Sequence, residues 1–260
     1  MLRTRALTAV ILLPIVIVCI WQGGLLFLAL AAILLTVAEL EFCHLVAHND
    51  FRPNPVFGVG MVWLFLLAAH FQTQELLQPG MILIVLGSLT WQLSHRQGLP
   101  IADWALTVTG GLYLGLCGAC LIGLRLHAGF PWTLTSVLSI MFADSSAYFC
   151  GRAWGRHKLA PKISPGKTWE GYLAGIIIGP LVTALIAWLW KLGAVHGLVA
   201  GLLIAILAPL GDLAISMLKR QAGAKDSSNL IPGHGGALDR VDSILWAAAI
   251  GYYYVLLFIP

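Results

Sequence analysis

Charge is scarce in this 260-residue chain: Asp, Glu, Lys and Arg make up 10% of it, against 59% hydrophobic residues and a mean hydropathy of +0.89. Soluble domains carry about 25% charged residues, so that class is excluded. Cysteine is sparse as well. The five present (Cys19, Cys43, Cys117, Cys120 and Cys150) lie in or beside apolar runs. They read as buried thiols, not as a disulfide framework. Cys117 and Cys120 have redox spacing, but mid-span and without a second pair. No Cys/His set stands at zinc-ligand spacing. Residues 6–21 are not followed by a small-residue cleavage site and a soluble domain, so they are read as a retained span, not a signal peptide. There is no long linker, low-complexity tract or convincing internal repeat. No nucleic-acid partner is expected.

What is present is apolar length. Nine runs, roughly 6–21, 24–47, 55–71, 80–95, 103–124, 133–150, 171–190, 196–218 and 241–259, each approach the ~20 residues that a membrane-spanning helix needs. Lipid offers no partner to an open sheet edge, so helices are expected throughout. The predicted fold is an all-α polytopic membrane protein with about nine transmembrane helices and its N terminus inside. It forms one continuous membrane domain, with N-terminal helices over 1–130 and C-terminal helices over 131–260. Gln22-Gly23-Gly24 predicts a tight hairpin between the first two runs, and Pro53, Pro55 and Pro79-Gly80 punctuate later connections.

The basic residues orient the chain. Nine spans with the N terminus inside put 13 Lys and Arg on the cytoplasmic side, against Arg125 and Lys191 outside. This is a strong positive-inside bias, and inverting the topology would reverse it. Two cytoplasmic loops, 151–170 and 219–240, then stand out as candidate catalytic loops.

The richest stretch runs from Ser216 to Asp242. It holds Lys219, Arg220, Lys225 and Arg240, with Asp226, Asp239 and Asp242, and Gly233, Gly235 and Gly236 surround His234. Carboxylates bind divalent cations, basic groups bind phosphates and glycines admit a ligand close to the backbone. A metal–phosphate site is the reading.

Asp144 and Asp212 each sit about six residues, so roughly 9 Å, inside the cytoplasmic end of a span. A carboxylate at the bilayer centre costs about 2.5–3.5 kcal/mol on insertion scales, so it needs an interior partner. That partner is a metal or a cation-lined cavity, or else a structural helix–helix hydrogen bond. Asp212, Ser216 and Lys219/Arg220 recur at i, i+4 and i+7/i+8 and share a helix face. Asp239 and Asp242 share another. Magnesium suits such oxygen donors and completes its shell with water and phosphate. His234 either bonds phosphate or orders the glycine turn. Gly166-Lys167-Thr168 suggests a P-loop but is rejected: the required first glycine falls on Pro161, and no strand is expected to precede it. Lys167 can still meet phosphate as a point charge.

Two spaced patterns carry a resemblance. Ser216-x-x-Lys219-Arg220-x4-Lys225-Asp226, then Pro232-x-His234-Gly235-Gly236-x-x-Asp239-Arg240-x-Asp242, resembles the signature of the phosphatidate cytidylyltransferase (CDP-diacylglycerol synthase) family. Ala237 departs from it, standing where a larger aliphatic residue is usual; this touches packing, not chemistry. Upstream, Asp144-Ser145-Ser146-Ala147-Tyr148, Gly151-Arg152, Gly155-Arg156 and Ile163 to Gly171 resemble the family's other cytoplasmic loop. The first 130 residues match only in hydropathy, apart from an acidic patch, Glu39 and Glu41, which is read as an interfacial helix end in preference to a part of the resemblance.

The resemblance implies an integral homodimer of the bacterial inner membrane, with its active site facing the cytoplasm. It joins CTP to phosphatidic acid among membrane lipids, giving CDP-diacylglycerol and pyrophosphate. It implies magnesium, with a monovalent cation such as potassium beside it, and metal roles for Asp212 and Asp239. Asp144 and Asp242 are expected to support the metal, with Asp226 beside them. Lys219, Arg220, Lys225, Arg240 and Lys167 would neutralise phosphates. His234 and Ser216 would orient oxygens. Substrate contacts are expected at Ser216, Gly235, Gly236, Ser164 and Arg152. A cation-coupled transporter is the rival from another class, since carboxylates in spans also mark ion pathways. It predicts acidic residues on both sides, whereas Glu75 alone is assigned outside. A CDP-alcohol transferase is excluded by the missing D-G-x2-A-R-x8-G-x3-D-x3-D pattern.

Overall fold

The computed structural model describes residues 2–95, 98–230 and 235–259. Helix follows apolar run closely: α1 (Leu2–Gln22), α2 (Gly24–Ala47), α3 (Pro55–Phe71), α4 (Leu77–Ser94), α5 (Pro100–Trp154), α6 (Trp169–Leu189), α7 (Ala194–Leu207), α8 (Pro209–Gln221) and α9 (Leu238–Phe258). The protein is thus an all-α, polytopic integral membrane protein. Among the described residues six helices are long and apolar enough to cross a membrane, and 12–22 and 55–71 form shorter apolar helices.

Three local departures from expectation have sequence causes. The runs 103–124 and 133–150 join in one 55-residue α5, bent at Gly129 (φ 72°, ψ −172°) just before Pro131. The C-terminal part of the run 196–218 is a separate helix, because Pro209 has no N–H to continue α7 and instead opens α8. The loop expected to lack strands holds an antiparallel hairpin, β1 (Lys158–Ala160) and β2 (Ser164–Thr168), that runs directly into α6. A strand does therefore carry Lys167, but Pro161 still denies it the glycine of a phosphate loop.

Two compact units divide the chain: Met1–Gly123 with Leu218–Val241, and Leu124–Met217 with Asp242–Pro260. In the first, α1 turns into α2 at Gly23 and Gly24, both at positive φ. Asn54 caps α3, its side chain accepting from Val56 N at 2.9 Å with Pro55 at the first helical position. Asp103, fully buried in the first turn of α5, holds that connection by accepting from Arg52 N at 2.7 Å. Leu35, Met61, Leu66, Leu114 and Ile122 form the interior. Helices α2, α3 and α5 approach closely there, for a β-carbon at Gly111 would strike the Gly58 carbonyl and Met61 of α3, and one at Gly110 would strike Phe42 of α2.

In the second unit α6 and α7 meet through small residues, Gly197 and Gly201 lying against Ala187, Thr183 and Pro180. Small residues let membrane helices approach where no hydrophobic force separates lipid from protein. Thr183 Oγ1 also donates to Ser139 Oγ of α5 at 2.9 Å. Ile140, Ile204, Ala208 and Ala247 form one apolar core, and Leu124, Trp132, Ala200, Tyr254 and Val255 another.

Candidate active site

The predicted site residues fall into two sets, one in each unit. In the second unit, the end of α5, the hairpin and the starts of α6 and α8 enclose a cavity of about 680 Å³. Asp144, Arg152, Lys158, Ser164, Lys167 and Asp212 line it. Thr168 builds this corner. Its hydroxyl caps α6 by accepting from Gly171 N at 3.2 Å, and it is buried where a β-carbon on Gly151, Gly155 or Gly171 would strike it. Glu170 ties the hairpin base to α6, accepting from His157 N at 3.2 Å and meeting the His157 ring at 2.6 Å.

The next residue back, Lys167, therefore projects from a fixed strand end. Its ammonium reaches Asp212 Oδ2 at 2.8 Å and donates to the Pro209 carbonyl at 3.4 Å. Ser216 Oγ donates to Asp212 Oδ1 at 3.1 Å. Tyr172 Oη donates to the Ile206 carbonyl at 2.7 Å. Arg152 donates to Tyr148 Oη at 3.3 Å at the end of α5. Asp242 is buried on α9, accepting from Ser243 N at 2.6 Å. Its carbonyl abuts Gly211, where a β-carbon would strike it.

The first unit assembles the second set. Lys219 Nζ meets Asp239 Oδ1 at 2.6 Å, the two side chains only 9% and 5% exposed. Asp239 Oδ2 accepts from Ser227 N at 2.8 Å, Ser227 Oγ at 3.0 Å and Gly236 N at 3.1 Å. Gly235 turns beside it at φ 81°, where a β-carbon would meet Asp239 and Asp226. Arg220 donates to the Ala224 carbonyl at 3.0 Å and so closes the end of α8. Lys225, Asp226 and Arg240 are exposed. His234 lies outside the described residues.

One residue of this set was misread in the sequence. Glu41 is buried, and so is Glu39; neither is an interfacial helix end. Glu41 Oε2 accepts from Ser227 Oγ and from Leu238 N, both at 2.8 Å; Oε1 accepts from Ser228 Oγ at 2.5 Å and from Ala237 N at 3.0 Å. The insertion cost that singled out Asp144 and Asp212 applies equally to an acidic residue inside the run 24–47, and it was the signal available. Lys158 and Thr168 were also missed; the hairpin that places them is short and leaves no strand periodicity to read.

The donor sets fit a hard divalent cation in part. Among the described residues, no three His, Cys, Asp or Glu side chains gather as a ready metal cage. Asp144 and Asp212, which both line the cavity, are oxygen donors of the kind that magnesium takes when water and phosphate complete its shell.

A largely helical membrane protein with carboxylates and basic side chains around one cavity has the donors that bind cations and phosphates. The cytidylyltransferase family profile matches residues 3–258, and the chain belongs to that family. A phosphatidate cytidylyltransferase of Brucella abortus is 35% identical over 270 residues, covering 99% of this chain and 94% of its own. Those of Pseudomonas aeruginosa and Bacillus subtilis are 33% and 29% identical, covering 96% and 99% of this chain and 99% and 98% of their own.

Proposed function

We propose that this protein transfers the cytidylyl group of CTP to phosphatidic acid, giving CDP-diacylglycerol and pyrophosphate for phospholipid synthesis. The observation that carries this reading is the cavity walled by Asp144, Lys167 and Asp212, with Arg152 and Lys158 on its lining. It stands in a chain matched nearly end to end by relatives named phosphatidate cytidylyltransferase.

A phosphate monoester oxygen of phosphatidate attacks the α-phosphorus of CTP in line. The bond from that phosphorus to the bridging oxygen breaks, and pyrophosphate leaves with the electron pair. No covalent enzyme group is required, so the protein's work is positioning and charge neutralisation. Lys167, Arg152 and Lys158 supply positive charge to the phosphates, and Ser216 orients Asp212. Magnesium, held by Asp144 and Asp212, would offset charge on the phosphate oxygens. Asp239 and Asp242, and a potassium ion beside the magnesium, enter this reading from the resemblance.

Nine crossings with the N terminus inside complete the proposal. As a single rod α5 would be ~82 Å long, more than twice the ~30 Å apolar core, so it counts as two crossings; α1 and α3 make up the number. The basic bias then sets both loops in the cytoplasm at the inner membrane. A cysteine placed near Gly129 should react with an impermeant thiol reagent from outside, and one near Ala222 should not; reversed labelling refutes the orientation. A homodimer is proposed too, to be checked by the mass of the purified protein in nanodiscs. The central test is pyrophosphate release by purified protein given CTP, phosphatidate and magnesium. A folded protein that releases none refutes the reading.

A further inference from the structure

We infer that Glu41 is a positioning residue for the reaction: its carboxylate, on α2, clamps the Ser227–Ser228 turn and the start of α9 together, and so holds Asp239 against Lys219. The inference rests on the cytidylyltransferase reading above.

Four donors converge on one buried carboxylate, and all four lie at least 186 positions away in sequence. Two are the amides of Ala237, at the cap position before α9, and of Leu238, its first residue; neither has a partner within that helix. A helix usually meets this need with a side chain of its own N-cap; here the acceptor comes from a different helix. A full negative charge there also complements the helix dipole. The other two donors are hydroxyls of the turn. Ser227 Oγ stands 2.8 Å from Glu41 and 3.0 Å from Asp239, so its single proton is shared between the two carboxylates, while Ser227 N secures Asp239 separately. Gly236 fits between them because it lacks a side chain: a β-carbon would strike both Ser227 Oγ and Glu41.

The clamp therefore acts on Ser227 and Ser228, next to Asp226, and on the start of α9, next to Gly235 and Gly236, and through Asp239 on Lys219. Lys219 belongs to α8, the helix that also carries Asp212. Residues 1–130, which the family resemblance left without a chemical role, supply this acceptor.

The test uses the full-length protein in nanodiscs, with Glu41→Gln and, as a milder second variant, Ser227→Ala. The glutamine keeps the size but turns an NH2 group toward donors. Losing charge-assisted hydrogen bonds should speed exchange of the Ala237 and Leu238 amides about tenfold or more. Well below the variant's unfolding temperature, kcat should fall about tenfold or more, with KM for CTP and for phosphatidate within about twofold of the parent. Ser227→Ala should move both readouts the same way by a smaller factor. A role confined to stability would lower the unfolding temperature and leave kcat unchanged; that result, or unchanged amide exchange, overturns the inference. Should Glu41→Gln not fold, unchanged exchange and kcat in Ser227→Ala overturn it equally. A parent enzyme without activity sinks the functional reading instead, and amide exchange then decides by itself whether the clamp exists.

Discussion

Asp212 and Asp239 are both acidic residues in the first turn of a helix, and each has a lysine within 2.8 Å. Their surroundings are opposite. Asp239, in the first unit, has a side chain 5% exposed and lies within hydrogen-bond reach of four donors, one of them the Ser227 hydroxyl that it shares with Glu41. Asp212, in the second unit, is 34% exposed and opens on a cavity of about 680 Å³. A carboxylate whose acceptor capacity is filled by fixed donors orders the chain around it. One that faces open volume can take a ligand. The sign and spacing of charge are the same in both; access separates them.

The contrast can be broken most forcefully at Lys219. Lys219→Met leaves the Asp239 charge buried without its counter-ion, so stability should fall by about 3–5 kcal/mol, read as a lower unfolding midpoint in nanodiscs. A fall below about 1 kcal/mol would mean the pair is solvated and the contrast wrong.

Asp212→Asn should do the reverse. It should cut kcat about 100- to 1000-fold, the usual scale for removing a preorganised charge at a reacting centre, and raise the magnesium concentration needed for half activity, while the unfolding midpoint changes little. Asp239→Asn should lower stability, and it tests the metal role that the resemblance implies: an unchanged magnesium curve leaves Asp239 to the pair with Lys219 alone. If it moves that curve as Asp212→Asn does, Asp239 is a metal ligand and must give up one of its donors.

Lys167→Gln removes a charge from the cavity and should raise KM for CTP about tenfold, the worth of one charge-assisted hydrogen bond. An unchanged constant for CTP, measured with phosphatidate saturating, assigns Lys167 to Asp212 alone. The smallest effect is expected at Thr168→Val. Losing the α6 cap should cost about 1 kcal/mol, detected as a modest loss of stability with KM and kcat nearly unchanged.

Helices were legible because lipid enforces them: the apolar runs 24–47 and 55–71 became α2 and α3 residue for residue. Breaks were less so. Pro209 lies inside a run that hydropathy reads as one span, and its effect depends on a single missing N–H. In the candidate site, charge inside an apolar run singled out Asp144 and Asp212, and both line the cavity; that Lys219 and Asp239 are buried together was not legible, since one was read as a charge for phosphate and the other as a ligand for metal. Which charges meet was not readable, since Lys167 and Asp212 are brought together by a hairpin too short to show a period. Glu41 was missed because its partners are so distant in sequence, and distance in sequence carries no pattern.

The proline break between α7 and α8 has a consequence for mutational tolerance. Around it the carbonyls of Ile206 and Pro209 accept from Tyr172 and Lys167, so part of the cavity wall is made of main chain. Main-chain polarity survives any exchange of the side chains at 206, 207 or 208, and a saturation scan there should register packing alone. Position 209 is where that wall is encoded.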